Sequence, residues 1–310
     1  MPHEASTPGT ARRGHDRLST PQRSAPRLYV LLARAAPVAL VLRRGPTGWF
    51  HLLRWDLDTL TVDPGAWFHG TIYPRRCEIS GDGRLFAYFA LTGRSAPWDT
   101  YYAVSKVPWL TALAAWRVGS TWTFGMEFLD DGSLAVPFDP PDPPDQGRFD
   151  GRIVTRVPRA DTWVGGSPFD ERDVANELRR GWEPLERGPD DRRMAELPIP
   201  DRSVHFLLRR ERPGDASTAL VMAHAGVRPN AGFIEGVEVA YLLETAAGPV
   251  WLEDVGWSDW DGHGRLLVAT VGGEIQIREP GDGSWRPTWS HDLNGLEPDP
   301  REAPDWARSW

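Results

Sequence analysis

The run WSDWDGHG, Trp257 to Gly264, carries the densest set of side chains able to do chemistry in the chain: Asp259, Asp261 and His263. Two carboxylates separated by one residue, with an imidazole beside them, suit a hard cation that takes oxygen ligands, or the mouth of a channel. The same spelling is also a hairpin turn in which an aspartate bonds its own backbone, and that simpler reading asks for no ligand. His51 and His69 each follow a Trp-Phe pair on strand-like runs, WFHLLRW and WFHGTIY, so strand alternation can aim both at one cavity. Arg75 and Arg76 follow the second of these runs. His51, His69, Arg75, Arg76, Asp259, Asp261 and His263 are the candidate binding residues.

Other constellations point away from familiar chemistry. The segment DPPDPPD spaces Asp139, Asp142 and Asp145 by three residues. At about 3.1 Å per residue in an extended polyproline run, the carboxylates would stand about 9 Å apart, too far to share an ion. No HExxH or HxH spacing supports zinc, so no metal centre and no cofactor is expected. GxSxG, P-loop and GxGxxG patterns are absent as well. Catalysis by paired carboxylates would have to draw on residues distant in sequence, with Glu78, Glu127, Asp99 and Asp259 as nominees. The single cysteine, Cys77, sits in an apolar run and reads as a small buried hydrophobe.

Charge narrows the range of partners. A net charge of −8 with arginine pairs spread along the chain beside acidic residues argues against nucleic acid, which demands clustered cations. The longest apolar run, Leu28 to Leu42, is interrupted by Arg34 and Pro37, so it reads as two strands and no membrane span is expected. Neither a secretory signal nor a disulfide framework is visible, which makes cytoplasm the expected location.

The elements that must position these residues are mostly strands. Three segments share one form, an acidic-Gly turn followed by an apolar strand that opens on Leu: CEISGDGRLFAYFA (Cys77–Ala90), GMEFLDDGSLAVPF (Gly125–Phe138) and VGWSDWDGHGRLLVATVGGEIQIRE (Val255–Glu279). In the last, Gly272–Gly273 is expected to form a two-residue hairpin loop with positive φ. Pro64–Gly65 is expected to be a turn, and Thr100–Trp116 two strands parted near Pro108. One helix is expected, about Pro168 to Arg180, with Ser167 as N-cap and Gly181 as stop. Residues 1–27 read as a disordered tail, 28–284 as the β domain with a helical insertion at about 167–193, and 285–310 as a Trp- and Pro-rich tail lying as a loop on the body.

The turn glycines Gly83 and Gly132 are 49 residues apart, and Gly132 to Gly264 is 132, or three steps of 44. A period of about 40–50 residues with several strands per unit falls in the propeller range. The hairpins ISGDGRLFAYFA and WDGHGRLLVATVGGEIQIRE resemble blade hairpins of WD40 and TolB-type β-propellers, in which an acidic-Gly turn precedes an apolar strand. The chain is also similar to bacterial proteins rich in Trp and Asp-Gly-Arg turns, which carry no activity to transfer. The paired Gly-His and Trp-Asp signatures of WD40 repeats do not recur as a unit: Trp-Asp falls at 55–56, 98–99 and 260–261, but Gly-His only at 14–15 and 262–263. The resemblance implies a mainly β, propeller-like fold of five or six blades with a central channel and a binding face. The expected function is a non-catalytic binding or scaffold module for a protein partner. Its alternative is a carboxylate-dependent, glycosidase-like hydrolase with its site in the channel.

Overall fold

The computed structural model describes residues 25–93, 97–121, 123–156, 174, 176–186, 204, 206–227, 237–281 and 284–310. It is mainly β, with five sheets among these residues. Sheet 1 is an antiparallel meander of β1 (Arg27–Leu32), β2 (Val38–Arg44), β3 (Trp49–Asp56) and β4 (Thr61–His69). Sheet 2 holds β5 (Thr71–Ile72), β6 (Glu78–Ile79), β7 (Leu85–Leu91), β8 (Thr100–Lys106), β9 (Ala114–Arg117) and β12 (Gln146–Gly147). Sheet 3 joins β10 (Glu127–Phe128), β11 (Leu134–Val136) and β13 (Ile153–Thr155), with β11 and β13 parallel. Sheet 4 runs through β14 (Glu183–Pro184), β15 (Phe206–Arg212), β16 (Asp215–Val227), β17 (Val237–Thr245) and β18 (Gly248–Trp251). Sheet 5 is β19 (Val255–Trp260), β20 (Leu266–Thr270), β21 (Glu274–Gly281) and β22 (Ser284–Asp292).

Most central strands are apolar on both faces because both faces are covered. On β2, Leu40 and Leu42 pack with Ile79, Phe86 and Tyr88 of sheet 2. The alternate residues Ala39 and Val41 pack with Leu267, Ile275 and Ile277 of sheet 5. The same two-sided use recurs on β7, where Ala87 and Phe89 meet Met126, Phe128 and Leu134 beside sheet 3. On β20, Leu266 and Val268 meet Leu208, Met222 and Tyr241 of sheet 4. Hydrophobic cores therefore link the sheets in the order 4, 5, 1, 2, 3.

All three echoed hairpins form as expected. Each turns on an i→i+3 backbone bond into a glycine: Gly83 N–H to Ser80 O, Gly132 N–H to Leu129 O, Gly264 N–H to Asp261 O. Each glycine is left-handed, at φ 73°, 79° and 73°, a conformation in which a Cβ meets the backbone.

Among the described residues one sheet, sheet 4, stands between the second and third echo units. Other expectations are corrected. Gly273 alone of the Gly-Gly pair has positive φ, at 92°, because the loop spans 271–273 and closes on Thr270 O. Val271 is exposed at that loop. Pro64–Gly65 is no turn; it lies within β4 at a register shift opposite His51–Leu53. There the Pro108 carbonyl accepts from Ala66 N–H, and a Cβ on Gly65 would stand 2.2 Å from that oxygen.

The segment read as a loop from 285 begins as an edge strand: β22 pairs with β21 along Glu274–Gly281, and Trp289 stacks on Trp55 at 5.2 Å. Pro287 is tolerated there because an edge strand leaves one side of its backbone unpaired. In the Asp-Pro segment, Gln146–Gly147 pairs with β9, and Asp145 is bound by Arg117.

The helix, α1, is present over 174–179, residue 175 excepted from description. Its expected start at Pro168 and N-cap at Ser167 lie outside the described residues, as does most of the expected tail 1–27. Its expected stop holds. Gly181, at φ 90°, donates to Leu178 O while Trp182 donates to Glu177 O, the paired bonds of a Schellman cap.

Candidate functional site

A cavity of about 740 Å³ opens among the turns that follow β1, β3 and β19 and the C-terminal end of α1. Its apolar wall includes Val30, Leu32, Ala36, Leu57 and Trp257; its charged wall includes Arg34, Glu78, Glu177, Arg179, Arg180, Arg210, Asp259 and Asp261. This volume lies within the usual range for a small-molecule or side-chain site.

Helix α1 supplies the centre of the charged wall. Its Schellman stop points Glu177 and Arg180 inward rather than to solvent. Arg180 donates to Glu177 Oε1 at 3.0 Å, to the Tyr29 hydroxyl at 3.0 Å and to the Cys77 carbonyl at 3.2 Å. The Tyr29 hydroxyl in turn donates to Glu177 at 3.3 Å, and Arg75 stands 3.9 Å from the same carboxylate. One ion pair thus ties the helix to sheets 1 and 2. Asn176 donates to the Arg75 carbonyl, and Arg179 reaches Glu127 of sheet 3 at 3.3 Å.

Asp259 sits at the end of β19, where the pleat turns it inward. Its Oδ2 accepts from Arg210 at 2.7 Å and its Oδ1 from Trp260 N–H at 2.8 Å. Burial still outweighs these contacts and pushes the carboxyl up to about 6. Asp261 behaves as the simpler reading expected. It caps its own turn through His263 N–H and Arg265 N–H and pairs with the Arg265 guanidinium at 2.6 Å. His263 is exposed at the mouth, 3.3 Å from Asp58.

Glu78 differs from the other acids. It is 7% exposed, and no donor among the described residues bonds its carboxylate. Burial raises its pKa, against the opposing pull of Arg180, Arg179 and Arg34.

Of the seven candidate binding residues, the cavity gathers Asp259, Asp261 and His263, with Arg75 one contact behind through Glu177. The other three lie elsewhere. His51 is buried on β3 and stacked on Trp67 at 4.2 Å; neither ring nitrogen has a partner among the described residues, and burial drives its pKa down to about 4. His69 packs on Trp49 at the outer edge of sheet 1. Arg76 covers the Tyr73 ring and donates to Thr121 O. The histidines share an aromatic stack rather than a pocket, because Trp67 and Trp49 lie between them. Among the nominated carboxylates, Glu78 and Asp259 line the cavity, Glu127 stands behind Arg179, and Asp99 does not line it.

Glu177, Arg180 and Arg210 were not singled out from sequence. The only signal was the basic end of the helix, and an arginine pair there is explained equally by the helix dipole. Cys77 is buried, its thiol pushed up to about 12 by desolvation, which leaves it no nucleophile. No group of three or more His, Cys, Asp or Glu among the described residues is arranged to hold a metal. No helix among them is long and apolar enough to cross a membrane.

In comparisons with known proteins, the chain matches no family model and no curated protein.

Proposed function

We propose that the five sheets are blades of a propeller-like ring, and that the chain is a binding module that docks a protein partner on the face where the cavity opens. The supporting observation is the sequence of contacts from sheet to sheet on that face. Arg212 donates to Gly264 O, Arg265 to Leu57 O, Ala35 N–H to Gly81 O and Arg34 to Phe128 O. These link sheets 4 to 5, 5 to 1, 1 to 2 and 1 to 3, so neighbouring turns form one interlocked rim around a concave site. Rigid turns around a concavity are a common way to present a recognition surface. Affinity purification from the native host, followed by hydrogen exchange of the complex, tests this reading. The expected result is a stoichiometric protein partner that protects residues 33–37, 57–58 and 261–264. A partner that protects a different face, or no partner together with turnover of a glycoside or ester, overturns it.

The second reading, a carboxylate-dependent hydrolase, is supported by Glu78 and Asp259 in one cavity, both with raised pKa. Acids held protonated at higher pH than usual are suited to proton donation. If this reading holds, glycoside turnover is expected to fall by about two orders of magnitude or more in Glu78→Gln or Asp259→Asn. Equal turnover in the variants removes it.

A further inference from the structure

On the charged wall of the cavity, every guanidinium already has an acceptor from the protein. Arg180 pairs with Glu177, Arg210 with Asp259, Arg179 with Glu127, and Arg34 with Asp130 and the Phe128 carbonyl. Asp261 is held by Arg265 from outside the cavity. Among the described residues no donor bonds the Glu78 carboxylate, which is 7% exposed and lines the cavity. A carboxylate withdrawn from water with no donor is costly, and native structures normally supply its partner. The groups that face it are Arg179 and Arg180 from α1, Arg34 from the turn after β1, and Glu127 from β10. Because each of those arginines spends its donors on another acceptor, with Glu127 shared between Arg179 and Arg156 and Glu177 between Arg180 and Arg75, an incoming N–H donor meets a carboxylate whose acceptor sites are still open.

Building on the reading of this cavity as a binding site, we propose that it takes a cationic group, an alkylammonium or alkylguanidinium. Its N–H donors pair with the Glu78 carboxylate, and its carbon stem lies along Val30, Leu32, Ala36 and Trp257. A free amine and a Lys or Arg side chain of a protein partner share this chemistry, and the test separates them.

Isothermal titration of the full chain with butylguanidinium, its uncharged isostere butylurea, and acetyl-Gly-Arg-Gly-amide supplies that test. The expected result is saturable binding of both guanidinium probes, none of butylurea, and affinity about tenfold or more weaker in Glu78→Gln. Affinity is also expected to fall when the pH is lowered far enough to protonate Glu78, and this pH dependence should vanish in the variant. Equal affinity for the two guanidinium probes assigns the site to a small amine; tighter binding of the peptide assigns it to a protein side chain. Glu78→Asp, which withdraws the charge by one methylene, is expected to bind more weakly than the wild type and serves if Glu78→Gln does not fold.

Binding of butylurea as tight as butylguanidinium, unchanged affinity in the Glu78 variants, or no saturable binding of either guanidinium probe overturns the proposal. Capture of a stoichiometric partner that survives Glu78→Gln, while that variant loses probe binding, assigns the site to a free amine and leaves the docking face intact. Probe binding without any partner leaves it standing and removes the protein-docking reading.

Discussion

Glu78 and His51 are both buried ionisable groups, neither hydrogen-bonded through its side chain among the described residues, and they bias stability in opposite pH windows. The folded-state pKa of Glu78 is raised, so the folded chain holds its proton at pH values where the unfolded chain has lost it. Its burial therefore costs stability increasingly as pH rises above the ordinary carboxylate range, and the cost levels off above the raised pKa. Glu78→Gln is expected to melt at a higher temperature than the wild type, with a gap that widens from acid to neutral pH; calorimetry at several pH values checks it. A lower melting temperature at neutral pH would contradict that account. For His51 the folded pKa falls to about 4, so unfolding takes up a proton as the pH drops below about 6.5. His51→Phe is expected to remove about 3 kcal/mol of acid sensitivity between those limits, read from urea unfolding at stepped pH. Arg180→Met leaves the buried Glu177 with only the Tyr29 hydroxyl and the more distant Arg75, and strips the Tyr29 hydroxyl and the Cys77 carbonyl of a donor. The expected loss is about 3 kcal/mol or more, measured in the same titration.

At the scale of elements, the three echoed turns share a left-handed glycine but not its surroundings. A Cβ on Gly132 would meet nothing within 4 Å, so Gly132→Ala tests the backbone conformation alone, at about 1–2 kcal/mol. On Gly264 the same Cβ would lie 2.8 Å from the Pro213 carbonyl, and on Gly83 it would lie 2.9 Å from Val38 Cβ. Both of those substitutions are therefore expected to cost more than Gly132→Ala, in one set of denaturation curves. Equal losses at all three positions would mean that the approach of neighbouring turns carries no energy. The turns were legible because glycine is the residue that adopts positive φ without steric cost, and that preference acts locally. Edge strand β22 was not, since Pro287 and the clustered tryptophans spoke for a loop. Its pairing with β21 and the stacking of Trp289 on Trp55 come from chain distant in sequence.

Across the whole molecule, stability rests on cores shared between sheets rather than within them. Trp55 is fully buried in the core between sheets 1 and 5, which joins the first described strands to the last sheet of the chain. Trp55→Ala is expected to cost about 3–5 kcal/mol. Because β2 contributes to the cores on both of its faces, the loss should appear as one cooperative shift across fluorescence and circular dichroism. Two separated transitions would show that sheet 5 unfolds independently of sheet 1.

The amino-acid sequence by itself determined the strand content, the echoed hairpins, the stop of the helix at Gly181 and the self-capping of Asp261. Each of these depends on periodicity or on the conformational freedom of one residue and its near neighbours, which a linear pattern records. Which charges meet was decided only by the tertiary structure. Glu78, Glu177 and Asp259 are brought to one cavity from β6, α1 and β19, while His51 and His69 are kept out of it by Trp67 and Trp49. Neither outcome follows from spacing along the chain, because both are set by how sheets distant in sequence pack.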